Sequence, residues 1–234
     1  MFHFKKFSID DSKAAMKIGT DAVLLGAWAP CDNETRILDI GTGSGILALM
    51  MAQRNLKTEI DAVEIDPDAA ALAHQNILLS PWTDQVHIFN SSIQEFPTGK
   101  QPQYSLIISN PPFFINSLKA PDKARNTARH NDTLPLSDLF ENTSKQLTEN
   151  GKAAFIIPAD AFENWKQEAA GFNLHPSVVT WVKSSLEHKA HRVLVTFTRR
   201  IKQLVPENEF IIYISRSVYS DEYKQLTKEF YLNF

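Results

Sequence analysis

Residues Arg36-Ile37-Leu38-Asp39-Ile40 lead into Gly41-Thr42-Gly43-Ser44-Gly45 and then Ile46-Leu47-Ala48-Leu49-Met50-Met51-Ala52. The first five read as a short buried strand, the glycines break it, and the run that follows has the composition and length of a helix. Outward from this unit the pattern repeats. Glu59 to Ile65 reads as a strand and Pro67 to Leu79 as a helix, with Asp66 as N-cap and proline at the first helical position. Gln85 to Phe89 and Tyr104 to Ser109 read as strands, Leu139 to Leu147 as a helix ended near Asn150-Gly151, and Lys152 to Ile157 as a strand closed by Pro158. After a helix near Phe162 to Ala170, Ser177 to Val182 and Arg192 to Thr198 form a closing antiparallel hairpin. Strands alternating with helices predict an α/β fold, a mostly parallel seven-stranded sheet with helices on both faces.

The chain has 234 residues, 43% hydrophobic and 22% charged, which fits one large domain and excludes disorder, collagen and coiled coil for the whole. Its longest uninterrupted apolar run, Ile46 to Ala52, is far shorter than the ~20 residues that cross a bilayer. The N-terminal residues show no apolar signal region, and Cys31 stands alone, so the expectation is a cytoplasmic protein without disulfide or cysteine-based zinc. The histidines show no metal spacing, so no metal is expected. We divide the single domain into an N-terminal extension (1–35) packing on the core, a catalytic core (36–200) and a C-terminal extension (201–234). Gly19 to Ala29 reads as an apolar helix covering one end of the sheet. A monomer is expected.

The glycine loop lets a ligand approach main-chain atoms that a Cβ would block. A dinucleotide fingerprint places a pyrophosphate on the helix N-terminus, yet here an acid, Asp39, lies inside the preceding strand and would repel it. A cationic sulfonium or ammonium would be welcome. A second acid, Glu64, ends the next strand 19 residues after Gly45, where a carboxylate can accept both hydroxyls of a ribose. Together these residues predict S-adenosylmethionine.

The fourth strand breaks at Asn110-Pro111-Pro112-Phe113. Two prolines remove two N–H donors, so the segment continues neither helix nor central strand and becomes a fixed loop at the carboxyl edge. Open α/β sheets bind ligands at that edge. The Asn110 side-chain oxygen and the Pro111 carbonyl can accept both hydrogens of a planar amine, aiming its lone pair at a methyl donor while Phe113 stacks on the acceptor.

These motifs resemble class I S-adenosylmethionine-dependent methyltransferases of the exocyclic-amine type, over roughly residues 36 to 200. The segment Met16 to Trp28, the Ala128-Arg129-His130 element and the tail from Tyr219 to Leu232 further resemble the bacterial tRNA1(Val) (adenine(37)-N6)-methyltransferases, which extends the match to nearly the whole chain. The resemblance implies a Rossmann-like fold, with Asp39, Gly41, Thr42, Gly43 and Gly45 on the methionine half of the cofactor. It places Glu64 at the ribose and Ser92 and Ile93 near the adenine, and it counts Ile65 and Asn110 among the cofactor-binding residues. Its implied substrate is tRNA, a valine isoacceptor. Glutamine methyltransferases of release factors and rRNA base methyltransferases share most of these motifs. A catalytically inactive RNA-binding module is the reading from a different class.

The net charge of −3 requires any RNA surface to be local. Lys119, Lys123, Arg125, Arg129 and His130 follow the Asn-Pro-Pro-Phe loop and are candidate phosphate contacts. Arg192 joins them with His188, Lys189 and His191, and Arg199, Arg200 and Lys202 are placed at the same edge. Phe2, Phe4 and Phe7 alternate as a strand does and are expected to face the core.

Overall fold

The computed structural model describes residues 1–12, 17–97, 99, 103–111 and 134–234. Eleven strands and six helices lie among them. A hairpin of β1 (Phe2–His3) and β2 (Ser8–Ile9) leads to α1 (Thr20–Trp28), β3 (Arg36–Ile40), α2 (Ile46–Arg54), β4 (Glu59–Glu64), α3 (Pro67–Leu78) and β5 (Val86–Asn90). The chain continues through β6 (Tyr104–Ser109), α4 (Leu136–Gln146), β7 (Leu147–Pro158), α5 (Phe162–Gly171), β8 (His175–Ser185) and β9 (Arg192–Thr198). It closes with β10 (Glu207–Ser215), β11 (Val218–Tyr219) and α6 (Asp221–Thr227).

The main sheet runs β5-β4-β3-β6-β7-β9-β8-β10-β11. The five strands from β5 to β7 are parallel, and β9 is antiparallel to both of its neighbours. The α/β architecture is as the sequence predicts and β8 pairs antiparallel with β9, but this pair does not close the sheet, because β8 also receives β10 and the sheet has nine strands rather than seven. The added pair comes from the C-terminal extension. Strand β10 joins β8 in parallel through Phe210↔Val182 and its neighbours, burying Phe210 and Ile212.

Alternation along the strands separates two apolar layers. Leu106 and Ile108 of β6 belong to the layer containing α1 and α2, while Ile107 belongs to the layer of α4 and α5. Helix α1 therefore lies on a face of the sheet and not at one end. It is apolar nearly all round because α2, α6 and β7 surround it. Its approach to α2 needs Gly26, where a Cβ would come within 2.5 Å of Met50 Sδ. Asn150-Gly151, read as a helix end, instead lies inside β7. The helix stops at Gln146, and the register shift between Tyr104↔Leu147 and Leu106↔Lys152 absorbs the extra residues.

An aromatic chain joins the two ends of the protein. Tyr219 stacks on Tyr223 (centroids 4.7 Å apart), which leads to Tyr231 (6.3 Å), Phe4 (6.1 Å), Phe7 (4.7 Å) and Trp82 (5.8 Å). Phe4 and Phe7 are buried as expected. Lys5 closes the clasp, its amide donating to Phe230 O at 2.8 Å and its ammonium to the carbonyls of Lys228 and Phe234 at 2.6 Å each. Tyr223 is the centre of this layer at 1% exposure. Tyr223→Ala should lower unfolding free energy by roughly 3–5 kcal/mol in urea denaturation; a loss below about 1 kcal/mol would show that the clasp is peripheral.

Candidate functional site

The carboxyl ends of β3, β4, β5 and β6 bring Asp39, Glu64, Ser92 and Asn110 to one edge of the sheet. At the end of β3 the backbone turns three times through the left-handed region, with φ of 71°, 57° and 86° at Gly41, Gly43 and Gly45. Only glycine adopts that series without strain. The amides of Gly41 and Thr42 both donate to Val63 O, at 2.8 and 3.1 Å, which pins the loop to β4. A Cβ on Gly41 or Gly43 would meet no atom within 4 Å, so open space faces the loop.

Asp39 is fully buried under this loop. The Thr42 hydroxyl donates to its Oδ2 at 2.6 Å, while Oδ1 has no hydrogen-bond partner among the described residues. Burial pushes its carboxyl up to about 7, with the Thr42 hydroxyl and the Ala48 amide acting against the shift. Glu64 receives two amides, Gly43 N at 2.8 Å on Oε2 and Asp66 N at 3.0 Å on Oε1. Each of its oxygens keeps a second lone pair for a hydroxyl. Ile65 beyond it is 62% exposed, a free apolar surface beside that carboxylate.

Asn110 follows the last residue of β6. Ser109 ties this end to the glycine strand through a 2.7 Å bond from its hydroxyl to Ile40 O. The Asn110 Oδ1 is buried with no partner among the described residues. Pro111 is half-buried. Pro112, Phe113, Lys119, Lys123, Arg125, Arg129 and His130 lie outside the described residues.

Ser92 and Ile93 sit on the same edge after β5, but neither side chain is free there. The Ser92 hydroxyl accepts from Glu95 N at 3.2 Å, and Ile93 is buried in the second apolar layer. Arg192 lies at this edge too, with its Nε 2.8 Å from Asp21 Oδ2 at the start of α1. Arg199, Arg200 and Lys202 do not. Because β9 runs against its neighbours, its end reaches the opposite edge, where Arg199 donates to the Ser144 and Leu147 carbonyls, Arg200 to Asn150 Oδ1 and Lys202 to Ser177 O.

Asn76 is a site-supporting residue that the sequence reading misses. From the buried face of α3 its amide donates to Ser44 O and Asp10 O, both at 2.9 Å, and its Oδ1 accepts from Asp10 N at 2.8 Å. One side chain thus fastens the glycine loop to the N-terminal hairpin. The available signal is an Asn among Ala69, Ala70, Leu72, Ala73 and Ile77, on the apolar face of a helix.

The model of the methyltransferase small domain matches residues 12–162. The tRNA1(Val) (adenine(37)-N6)-methyltransferase of Flavobacterium johnsoniae is 43% identical over 233 residues, covering 99% of both chains. That of Bacteroides fragilis is 44% identical over 99% of this chain and 97% of its own. The chain belongs to this methyltransferase family. Among solved structures, a predicted O-methyltransferase from Agrobacterium tumefaciens superposes with a TM-score of 0.71 at 16% identity, over 90% of this chain and 96% of the other. A ribosomal protein L11 methylase from Lactobacillus delbrueckii gives 0.59 at 18% identity, over 82% and 84%. These two carry the fold alone. Within the family's fold, Asp39 is the buried acid that sets a pH dependence.

Unfolded, the Asp39 carboxyl titrates at its ordinary value near 3.8, and folded at about 7. Between those values the folded chain holds a proton that the unfolded chain has lost, so stability falls as pH rises from about 4 to 7, by roughly 4 kcal/mol at most. Asp39→Asn is neutral throughout and should gain on the wild type by a few kcal/mol between pH 4.5 and pH 8 in urea unfolding. Parallel stability–pH curves would contradict the burial of a titrating Asp39.

Proposed function

We infer that the chain methylates the exocyclic N6 amine of an adenine in tRNA, using S-adenosylmethionine, and that its substrate is adenine 37 of tRNA1(Val) in the cytoplasm. The observation that carries the reading is the Asn110 oxygen, buried without a donor among the described residues beside the strand that bears the glycine loop. No helix among the described residues is long and apolar enough to cross a membrane.

The cofactor's chemistry fits the residues present. The open space before Gly41 and Gly43 suits a ligand lying on backbone, and Asp39 Oδ1 lacks the donor that an α-ammonium would provide. Glu64 has lone pairs for the ribose hydroxyls, Ile65 offers an apolar surface beside it, and the segment of Ser92 and Ile93 offers main-chain groups to the adenine. Thr42 acts through Asp39, holding its carboxylate in one orientation. When bound, S-adenosylmethionine supplies an electrophilic methyl carbon on a cationic sulfur.

The protein's part is to make a poorly nucleophilic amine present its lone pair. The adenine N6 pair is delocalised into the ring. Asn110 Oδ1 accepts one N–H and the Pro111 carbonyl the other, which favours a pyramidal nitrogen and fixes its direction. As the C–N bond formed and the methyl carbon–sulfur bond broke, leaving the electron pair on a neutral thioether, positive charge would pass to that nitrogen and both hydrogen bonds to Asn110 and Pro111 would strengthen, a gain made mainly in the transition state. The nitrogen then sheds a proton, readily because it is cationic. Phe113 stacks on the base in this reading, and Lys119, Lys123, Arg125, Arg129 and His130 hold phosphates next to the loop. Arg192 contributes at the same edge together with Asp21.

Tritiated methyl transfer to separated tRNA, rRNA and release-factor fractions, followed by nucleoside analysis, should give N6-methyladenosine in tRNA. Label in rRNA or on a glutamine would overturn the assignment. With purified tRNA, Asn110→Ala should slow single-turnover transfer about 10²–10³-fold while both substrates still bind. Glu64→Ala should weaken cofactor binding by roughly 1.5–3 kcal/mol in calorimetry, and unchanged affinity in the folded variant would refute the ribose contact.

A further inference from the structure

The carboxyl edge is divided in two by β6. On one side, the loops after β3, β4 and β5 carry the residues assigned to the cofactor. An RNA presenting its adenine at Asn110 must therefore extend over the other side, across the ends of β7, β8 and β10 and the start of β9. That half contains a cleft of about 690 Å³ between the loop after β8 and the turn joining β10 to β11. Three to four strand spacings separate it from β6, about 14–19 Å. Only a substrate much larger than a nucleoside reaches both.

The cleft has the chemistry of a nucleotide site. Tyr213 and Tyr219 line it as a stacked pair with centroids 4.8 Å apart, and Tyr219 is backed by the buried Tyr223, so the aromatic wall is rigid. Leu186, 69% exposed, adds apolar surface. The Ser185 hydroxyl meets His188 Nδ1 at 2.7 Å, which orients the imidazole and leaves its Nε2 for a ligand. Arg216, exposed at the tip of the turn, has no hydrogen-bond or ion-pair partner among the described residues. Glu187 is the opposing charge in the lining, while Lys183 and Glu209 neutralise each other nearby at 2.6 Å. An aromatic wall with an unengaged guanidinium and an oriented imidazole suits a base and its phosphate, and the volume suits one nucleotide.

We propose that this cleft is a second RNA subsite, holding an unpaired nucleotide of the same tRNA whose adenine lies at Asn110. The proposal rests on the tRNA-methyltransferase reading above. It assigns to the C-terminal extension a role in substrate capture, separate from the clasp that Tyr223 makes with the N-terminus.

The test uses the full chain and a tRNA1(Val) transcript. Arg216→Glu should raise the KM for tRNA at least tenfold and lower the slope of log affinity against log salt by about 0.7, as for one lost single-strand phosphate contact. Its kcat at saturating tRNA and its S-adenosylmethionine affinity should stay at wild-type values. Arg200→Glu, the same charge change at an exposed residue on the opposite edge, should leave the KM for tRNA unchanged. The proposal is overturned if Arg216→Glu matches the wild type, or if Arg200→Glu weakens tRNA as much, since general charge would then explain the loss. A wild-type enzyme inactive on tRNA would instead defeat the functional reading beneath it.

Discussion

Two buried oxygens without a hydrogen-bond donor among the described residues, Asp39 Oδ1 and Asn110 Oδ1, set the terms for the carboxyl edge. An unsatisfied buried acceptor costs about 1–3 kcal/mol, and an ionised one more. The fold keeps both at the ends of adjacent parallel strands, locked together by the Ser109 bond to Ile40 O. The Thr42 hydroxyl and the Ala48 amide offset part of the cost at Asp39, and no described group offsets that at Asn110 Oδ1. In the proposed reading a cofactor ammonium would relieve the first and an N–H of the acceptor amine the second, and the two reactants would thereby be oriented towards each other.

The rest of the structure serves to hold that edge. Left-handed glycines bend the loop over Asp39 without side chains in the way, Val63 O pins the loop, and Asn76 ties it to the N-terminal hairpin. The hairpin is in turn clamped by Lys5 and the aromatic chain to the C-terminal residues. The two extensions are thus parts of one packed layer over the same face as α1 and α2. At the far side of the sheet, β10 and β11 prolong the edge on which an RNA would lie.

Local signals made the core legible. Strand β3 matches its predicted span, and Asp66 caps α3 as expected, accepting from Asp68 N and Ala69 N, because strand composition and capping act over a few residues. What was not legible depends on distant partners. Asn150-Gly151 has the chemistry of a helix end, yet pairing with β6 draws it into a bulged strand. Glu207 to Ser215 becomes a strand because β8 has a free edge to receive it. Arg199, Arg200 and Lys202 fall on the edge opposite the glycine loop because strand direction, which composition does not encode, decides which end of β9 lies there. Asp39, Glu64 and Asn110 reach one edge of the sheet, as their places at strand ends predict, since that spacing is a local signal. Asn76 was missed since its three bonds reach segments more than 30 residues away.

The claim that the unpartnered acceptors are ligand slots is tested most directly by counting protons. Burial pushes the Asp39 carboxyl up to about 7, so that it is partly protonated at pH 7, and an ammonium beside it favours the charged form. Calorimetry of S-adenosylmethionine binding at pH 7 in buffers of differing ionisation enthalpy should therefore show the wild type releasing more protons than Asp39→Asn. Equal proton counts for the two proteins, with S-adenosylmethionine bound by both, would contradict the placement of the cofactor's cationic half against Asp39.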